Sequence, residues 1–196
     1  MSVKRVVAGL IAVVALLAMS GCSANRGSVA AKVGDQVLSQ SALDREINVA
    51  NEKLTDFNPV FATFDTTEFV LKAEIMGRIM TSALAKLNVT ITDQMRNDYI
   101  TNTYSPSEAV YLLWNDKRTK SAIDNMSNWN IGLMLRDAGM VDGVALSAQL
   151  SAISKAVKVN PRYGDWDMSS QTVASRVASQ LQQGALAEPA AFTIPR

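Results

Sequence analysis

Asp65-Thr-Thr-Glu-Phe-Val-Leu-Lys-Ala-Glu-Ile-Met-Gly-Arg-Ile-Met-Thr-Ser-Ala-Leu-Ala-Lys-Leu87 is the stretch that decides the fold class. Phe69, Ala73, Met76, Met80, Ala83 and Leu87 recur at steps of three and four, the period of one face of an α-helix. Asp65 stands as cap with Glu68 three residues on, a capping-box-like start. Upstream the same period returns in Leu43, Ile47, Ala50 and Leu54. Ser39 or Ser41 can cap that helix, and Asp44 and Glu46 lie in its early turns, where negative charge suits the helix dipole. Between the two helices, Asp56 to Asp65 reads as a loop with Pro59, Phe57, Phe61 and Phe64; exposed aromatics are costly, so the three either pack onto the body or meet a partner.

Downstream, Asn88 to Ile91 breaks the pattern and Thr92-Asp93 opens a helix through Tyr99. Ser105-Pro106-Ser107-Glu108 offers a cap, a proline at the first helical position and an acid in the first turn, leading into Val110, Leu113 and Trp114. Residues 119–138 carry Ile123, Met126, Asn130, Leu133 and Met134 and stop at Gly139, and residues 144–157 carry Leu146, Leu150 and Ile153. The β signals are few. Residues 29–38, VAAKVGDQVL, read as a hairpin around Gly34-Asp35, with Gly34 free to take positive φ. Val157-Lys158-Val159 reads as a short strand before the Asn160-Pro161 turn, able to pair with the hairpin and bring the two ends of the body together. Residues 170–182 are faintly helical. The expectation is a mainly α fold with a small hairpin or sheet closing its ends.

Composition removes most chemistry. The chain has 196 residues, 19 Lys+Arg against 18 Asp+Glu, one Cys and no His. That length suits one domain. Without His there is no Ser-His-Asp or Cys-His machinery and no imidazole base, and one Cys cannot supply a thiolate zinc site. The near-zero charge argues against nucleic acid as a partner. No catalytic, cofactor-binding or metal-ligating residue is assigned, no cofactor is expected, and the expectation is that the protein is not an enzyme.

Residues 1–21 stand apart from the fold. Lys4 and Arg5 precede an apolar run from Val6 to Met19, too short for a membrane span, and Ser20-Gly21 lead to Cys22. This resembles a bacterial lipoprotein signal, cut before a lipidated Cys22, although Met19 stands where Leu is commonest. The alternative is an ordinary secretory signal with a free Cys nearby. Lipidation places the protein at the cell membrane, on its extracytoplasmic face. Removal of Lys4 and Arg5 leaves a charge balance near −1, so attachment would rest on the acyl chains. Four segments follow: a signal peptide at 1–21, a small-residue tether at 22–28, a helical domain at 29–183, and an Ala/Pro-rich tail at 184–196.

Val29 to Asp44 (VAAKVGDQVLSQSALD) resembles the opening of SurA-type chaperone domains, with a strand, a Gly turn, a second strand and a Ser-led helix start. Asn160 to Asp167 (NPRYGDWD) is similar to the closing segment of actinomycete SurA-like lipoproteins, and Val89-Thr-Ile-Thr-Asp93 is similar to an interhelical link in that family. The resemblance implies a SurA N-domain-like helical body and a chaperone or peptide-binding role on unfolded or exported polypeptides. Many members add a parvulin prolyl-isomerase domain with a histidine pair. This chain has no His. The resemblance therefore implies the binding module alone.

The residues offered for client contact are Phe57, Phe61, Phe64, Trp114 and Met126. Met76, Met80, Met95, Met126, Met134 and Met140 suit an adaptable groove, but their spacing suits ordinary helical core better. Trp129, inside a periodic helix, reads as core. Asp165 and Asp167 read as a structural turn with Arg162 as ion-pair partner, and Lys117-Arg118-x-Lys120 as a solvated charge run. Two functions compete: a non-catalytic chaperone module with many clients, and an adaptor lipoprotein with one folded partner.

Overall fold

A computed structural model describes residues 28–163. The signal, Cys22, the Asp165–Asp167 pair, the 170–182 segment and the tail lie outside the described residues. The chain runs β1 (Val29–Val33), β2 (Gln36–Ser39), α1 (Gln40–Phe57), a 3-10 turn (Pro59–Thr63), α2 (Thr66–Lys86), α3 (Asp93–Thr103), α4 (Ala109–Trp114), α5 (Lys120–Asp137), α6 (Gly143–Ser154), β3 (Lys158–Val159) and a last 3-10 turn (Pro161–Tyr163). It is a mainly helical fold with one three-stranded antiparallel sheet, ordered β2-β1-β3.

Helix α2 is the central element. Its expected stripe is buried from Phe69 to Ala83, while Leu87 falls just past the helix end and is half-buried; Val70, Leu71, Ile75, Ile79 and Leu84 on its other sides are buried too. A helix buried on more than one stripe is one packed by several neighbours. Here α1, α5 and α6 enclose it. Its tightest approach is to α5, and two glycines make that possible. A Cβ at Gly77 would lie under 3.0 Å from the Cα, Cβ and carbonyl oxygen of Asn125, and one at Gly132 would strike the Met80 side chain.

Helix ends follow local chemistry. Ser39, Asp65, Thr92 and Asp142 each accept a bond from the amide three residues on, at 3.2, 2.9, 3.2 and 2.7 Å. Helix α5 closes on Gly139 (φ +69), with the Met140 amide bonded to the Leu135 carbonyl at 2.9 Å. Helix α2 closes in the same way on Asn88 (φ +59), with the Val89 amide on the Leu84 carbonyl at 2.9 Å. A left-handed residue at this position is normally glycine, because a Cβ crowds the following carbonyl. We expect Asn88→Gly to stabilise the fold by about 0.5 kcal/mol and Asn88→Ala to cost about 1 kcal/mol, measured by urea denaturation. An alanine variant as stable as the parent would show that the cap is not strained.

Three expectations need correction. The Asp56–Asp65 segment is not plain loop: α1 continues to Phe57, and Asn58 then caps the Pro59–Thr63 turn by accepting the Val60 amide at 3.0 Å. Ser105-Pro106 does not start a helix. Ser105 instead accepts bonds from Ser107 and Glu108 in a tight turn, and α4 begins at Ala109. Helix α6 ends at Ser154, short of 157. The buried face of α5 also differs in detail. Ile123, Ser127, Ile131 and Leu135 form its inner row, while Met126, Asn130, Leu133 and Met134 are half-buried flanks. Ser127 tolerates the core because its hydroxyl donates to the Ile123 carbonyl at 2.8 Å.

The sheet joins the two ends of the described body. In β1, Ala31 pairs with Leu38 of β2 and Val159 of β3, an inner row against the core. Lys32 pairs with Val37 and Lys158, an outer row open to solvent. Asn160 reinforces the closure, donating from its amide to Ala30 at 2.8 Å and from its side chain to Val29 at 3.1 Å. The Tyr163 hydroxyl then donates to Asp44 on α1 at 2.7 Å.

Candidate functional site

The turn between α1 and α2 stacks four aromatic rings. Ring centroids lie 6.3 Å apart for Phe57–Phe61, 6.1 Å for Phe61–Phe64 and 5.8 Å for Phe64–Phe69. The middle pair meets edge to face at 89°. Each such contact contributes about 0.5–1.5 kcal/mol beyond area burial. The row runs from surface to core. Val60 is 70% exposed and Phe57 40%, Phe64 is half-buried, and Phe61 is only 4% exposed. Phe61 therefore does not present a surface, as expected of it from sequence; it is the core member that holds Phe57 and Val60 outward. Phe69, read only as helix core, is the inner end of the row. Its signal was its position four residues past the Asp65 cap, which turns it toward Phe64.

Trp114 and Met126 lie elsewhere. Trp114, half-buried at the end of α4, meets Tyr111 edge-on at 5.5 Å and carries the Lys120 ammonium 5.5 Å from its ring. Its indole N–H is buried without a hydrogen-bond partner. Met126 is half-buried against the core on α5. Of the methionines, Met76 and Met80 are core, and Met140 is exposed. Trp129 is buried as expected.

The charges near α4 are matched internally. Asp116 accepts from the Arg118 side chain at 2.8 and 3.1 Å and from its amide at 2.9 Å, and meets Lys53 of α1 at 3.2 Å. The Arg118 bonds hold the Asp116 carboxyl well below the usual carboxylate range. Lys120 is paired with Asp124 at 2.6 Å. Arg118 and Lys120 of the 117–120 run are thus held in local ion pairs, while Lys117 is exposed. Arg162 lies 3.7 Å from Asp44.

A second cluster escaped the sequence reading. Glu46, beside Asp44 in the early turns of α1, falls three residues after Leu43 and four before Ala50, on the buried face of the helix. It faces Glu74, which is fully buried at the centre of α2. Glu74 accepts from Arg78 at 2.7 and 3.0 Å and from the Ser121 hydroxyl of α5 at 2.5 Å. Arg78 also reaches Gln36 of β2 at 3.4 Å. Burial, with the Glu74 charge behind it, pushes the Glu46 carboxyl up to about 8. A carboxyl raised this far keeps its proton at neutral pH and can share it with Glu74; the Glu46 Oε2 is buried without a hydrogen-bond partner. The pair is sealed between helices, with no face for a substrate. Among the described residues no group of three acidic, Cys or His side chains is placed to hold a metal, and no helix is long and apolar enough to cross a membrane.

Compared with protein-family models, curated proteins and solved structures, the chain matches none.

Proposed function

We propose that this is a lipid-anchored, non-catalytic chaperone or peptide-binding module of SurA type, which assists exported polypeptides at the cell envelope. The observation that carries the reading is the lip of Phe57 and Val60, exposed on a rigid aromatic base. Such a lip offers apolar contact at little cost in side-chain ordering, which suits weak binding to varied unfolded chains. The closing of a helical body by its own two ends is what the resemblance implies for this family, and it supports the same reading.

The test is aggregation of several unrelated unfolded proteins, with Phe57→Ser/Val60→Ser beside the parent. We expect the parent to slow aggregation of all of them, the double variant to lose most of that effect, and neither to accelerate prolyl isomerisation. Affinity should change little with salt, since screening acts on exposed charge. A stoichiometric pulldown of one folded partner, with no effect on unfolded clients, would favour the adaptor instead.

The anchor has its own test. Cys22→Ala should move the protein from the membrane to the soluble fraction. A variant that stays in the membrane with its signal cleaved would overturn the lipoprotein assignment.

A further inference from the structure

The outer row of the sheet places two like charges side by side. Lys32 on β1 and Lys158 on β3 are directly opposed, an arrangement that destabilises a strand pair. Both are exposed, and among the described residues neither meets a carboxylate at ion-pair distance. Val37, 51% exposed, completes the row on the other side of Lys32. Two ammonium groups with no carboxylate partner among the described residues, beside an exposed aliphatic side chain, form a small cationic, amphipathic face. The chain's overall charge balance gives no hint of it.

Its position says what covers it. Val29 follows Cys22 by seven residues, at most about 25 Å of extended chain. If Cys22 carries lipid, the sheet is the part of the body held nearest the bilayer. We propose that the Val37–Lys32–Lys158 face rests on anionic lipid headgroups, and so sets the orientation of the domain on its membrane. This rests on the anchoring reading given above. Each lysine near an anionic surface contributes about 1 kcal/mol, too little to recruit a free protein but enough to orient one already tethered. The aromatic lip, at the far end of α1 from the sheet, is then left free.

The experiment uses the mature chain coupled through Cys22, its only thiol, to a maleimide lipid in vesicles. This fixes the tether geometry whether or not the cell acylates Cys22, so failure of the face and failure of the anchor are separate results. Amine modification of Lys32 and Lys158 is followed by mass spectrometry, with exposed Lys117 as reference. In phosphatidylglycerol-containing vesicles we expect both lysines to react about tenfold more slowly than in phosphatidylcholine vesicles, with high salt abolishing the difference and Lys117 unchanged. Equal rates in the two vesicle types would overturn the proposal. So would equal protection by inorganic phosphate in solution, or protection that appears only in native membranes, which would point to a protein partner.

Discussion

Glu46→Gln should remove most of the pH dependence of stability between about pH 4.5 and 8, and should stabilise the protein by about 3 kcal/mol at pH 7. The sign follows from where the proton sits. In the folded state Glu46 keeps its proton up to about pH 8, whereas an unfolded chain releases it near 4.5. Across that window the native state binds more protons. The stabilisation is therefore complete at low pH and is lost as pH rises through the folded value. Glutamine imitates the protonated acid: it is neutral at every pH, and its amide can donate toward Glu74 as the protonated carboxyl would. Urea denaturation of parent and variant at pH 5 and pH 8 checks this. Curves that keep the same spacing at both pH values would mean that Glu46 does not hold its proton in the fold.

Gly77→Ala should cost upwards of 3 kcal/mol, and Gly132→Ala clearly less, although both lie at the crossing of α2 and α5. At Gly77 the added methyl meets the backbone of Asn125, so only separating the two helices can relieve it. That separation would loosen the contact around which the core is built, a mechanism that ranks among the most destabilising single changes. At Gly132 the methyl meets the Met80 thioether chain, which has rotatable bonds and can repack. Denaturation midpoints of the two variants give the order directly. Equal losses would mean that the closest approach is not at Gly77.

The helices were legible because their apolar period is strong and their caps are chemically specific. Ser39, Asp65 and Thr92 each do what their side chains favour. The hairpin and its pairing with Val159 were legible from Gly34 and from a β-branched run placed just before Asn160-Pro161. The reading failed where polar or small residues enter the core. Glu46 and Glu74 occupy buried positions that hydrophobic periodicity passes over; Arg78 and Ser121 hold Glu74 there. Ser127 and Gly132 hold the inner face of α5, while the more apolar Met126 and Met134 flank it. The Phe row was half legible: spacing gathered Phe57, Phe61 and Phe64, but only packing distinguishes the buried Phe61 from the exposed Phe57.

The closing pair, Ala31 with Val159, joins positions about 130 residues apart. Bringing such distant points together carries a loop-closure cost that neighbouring contacts do not, so we expect this contact to form late in folding. Until β3 emerges, β1 has one unpaired edge and the end of the core beneath Ala30 and Ala31 is open. A nascent or truncated chain ending before Lys158 would carry both defects, however complete its helices. The two-residue strand is thus the piece whose arrival is expected to seal this end of the body.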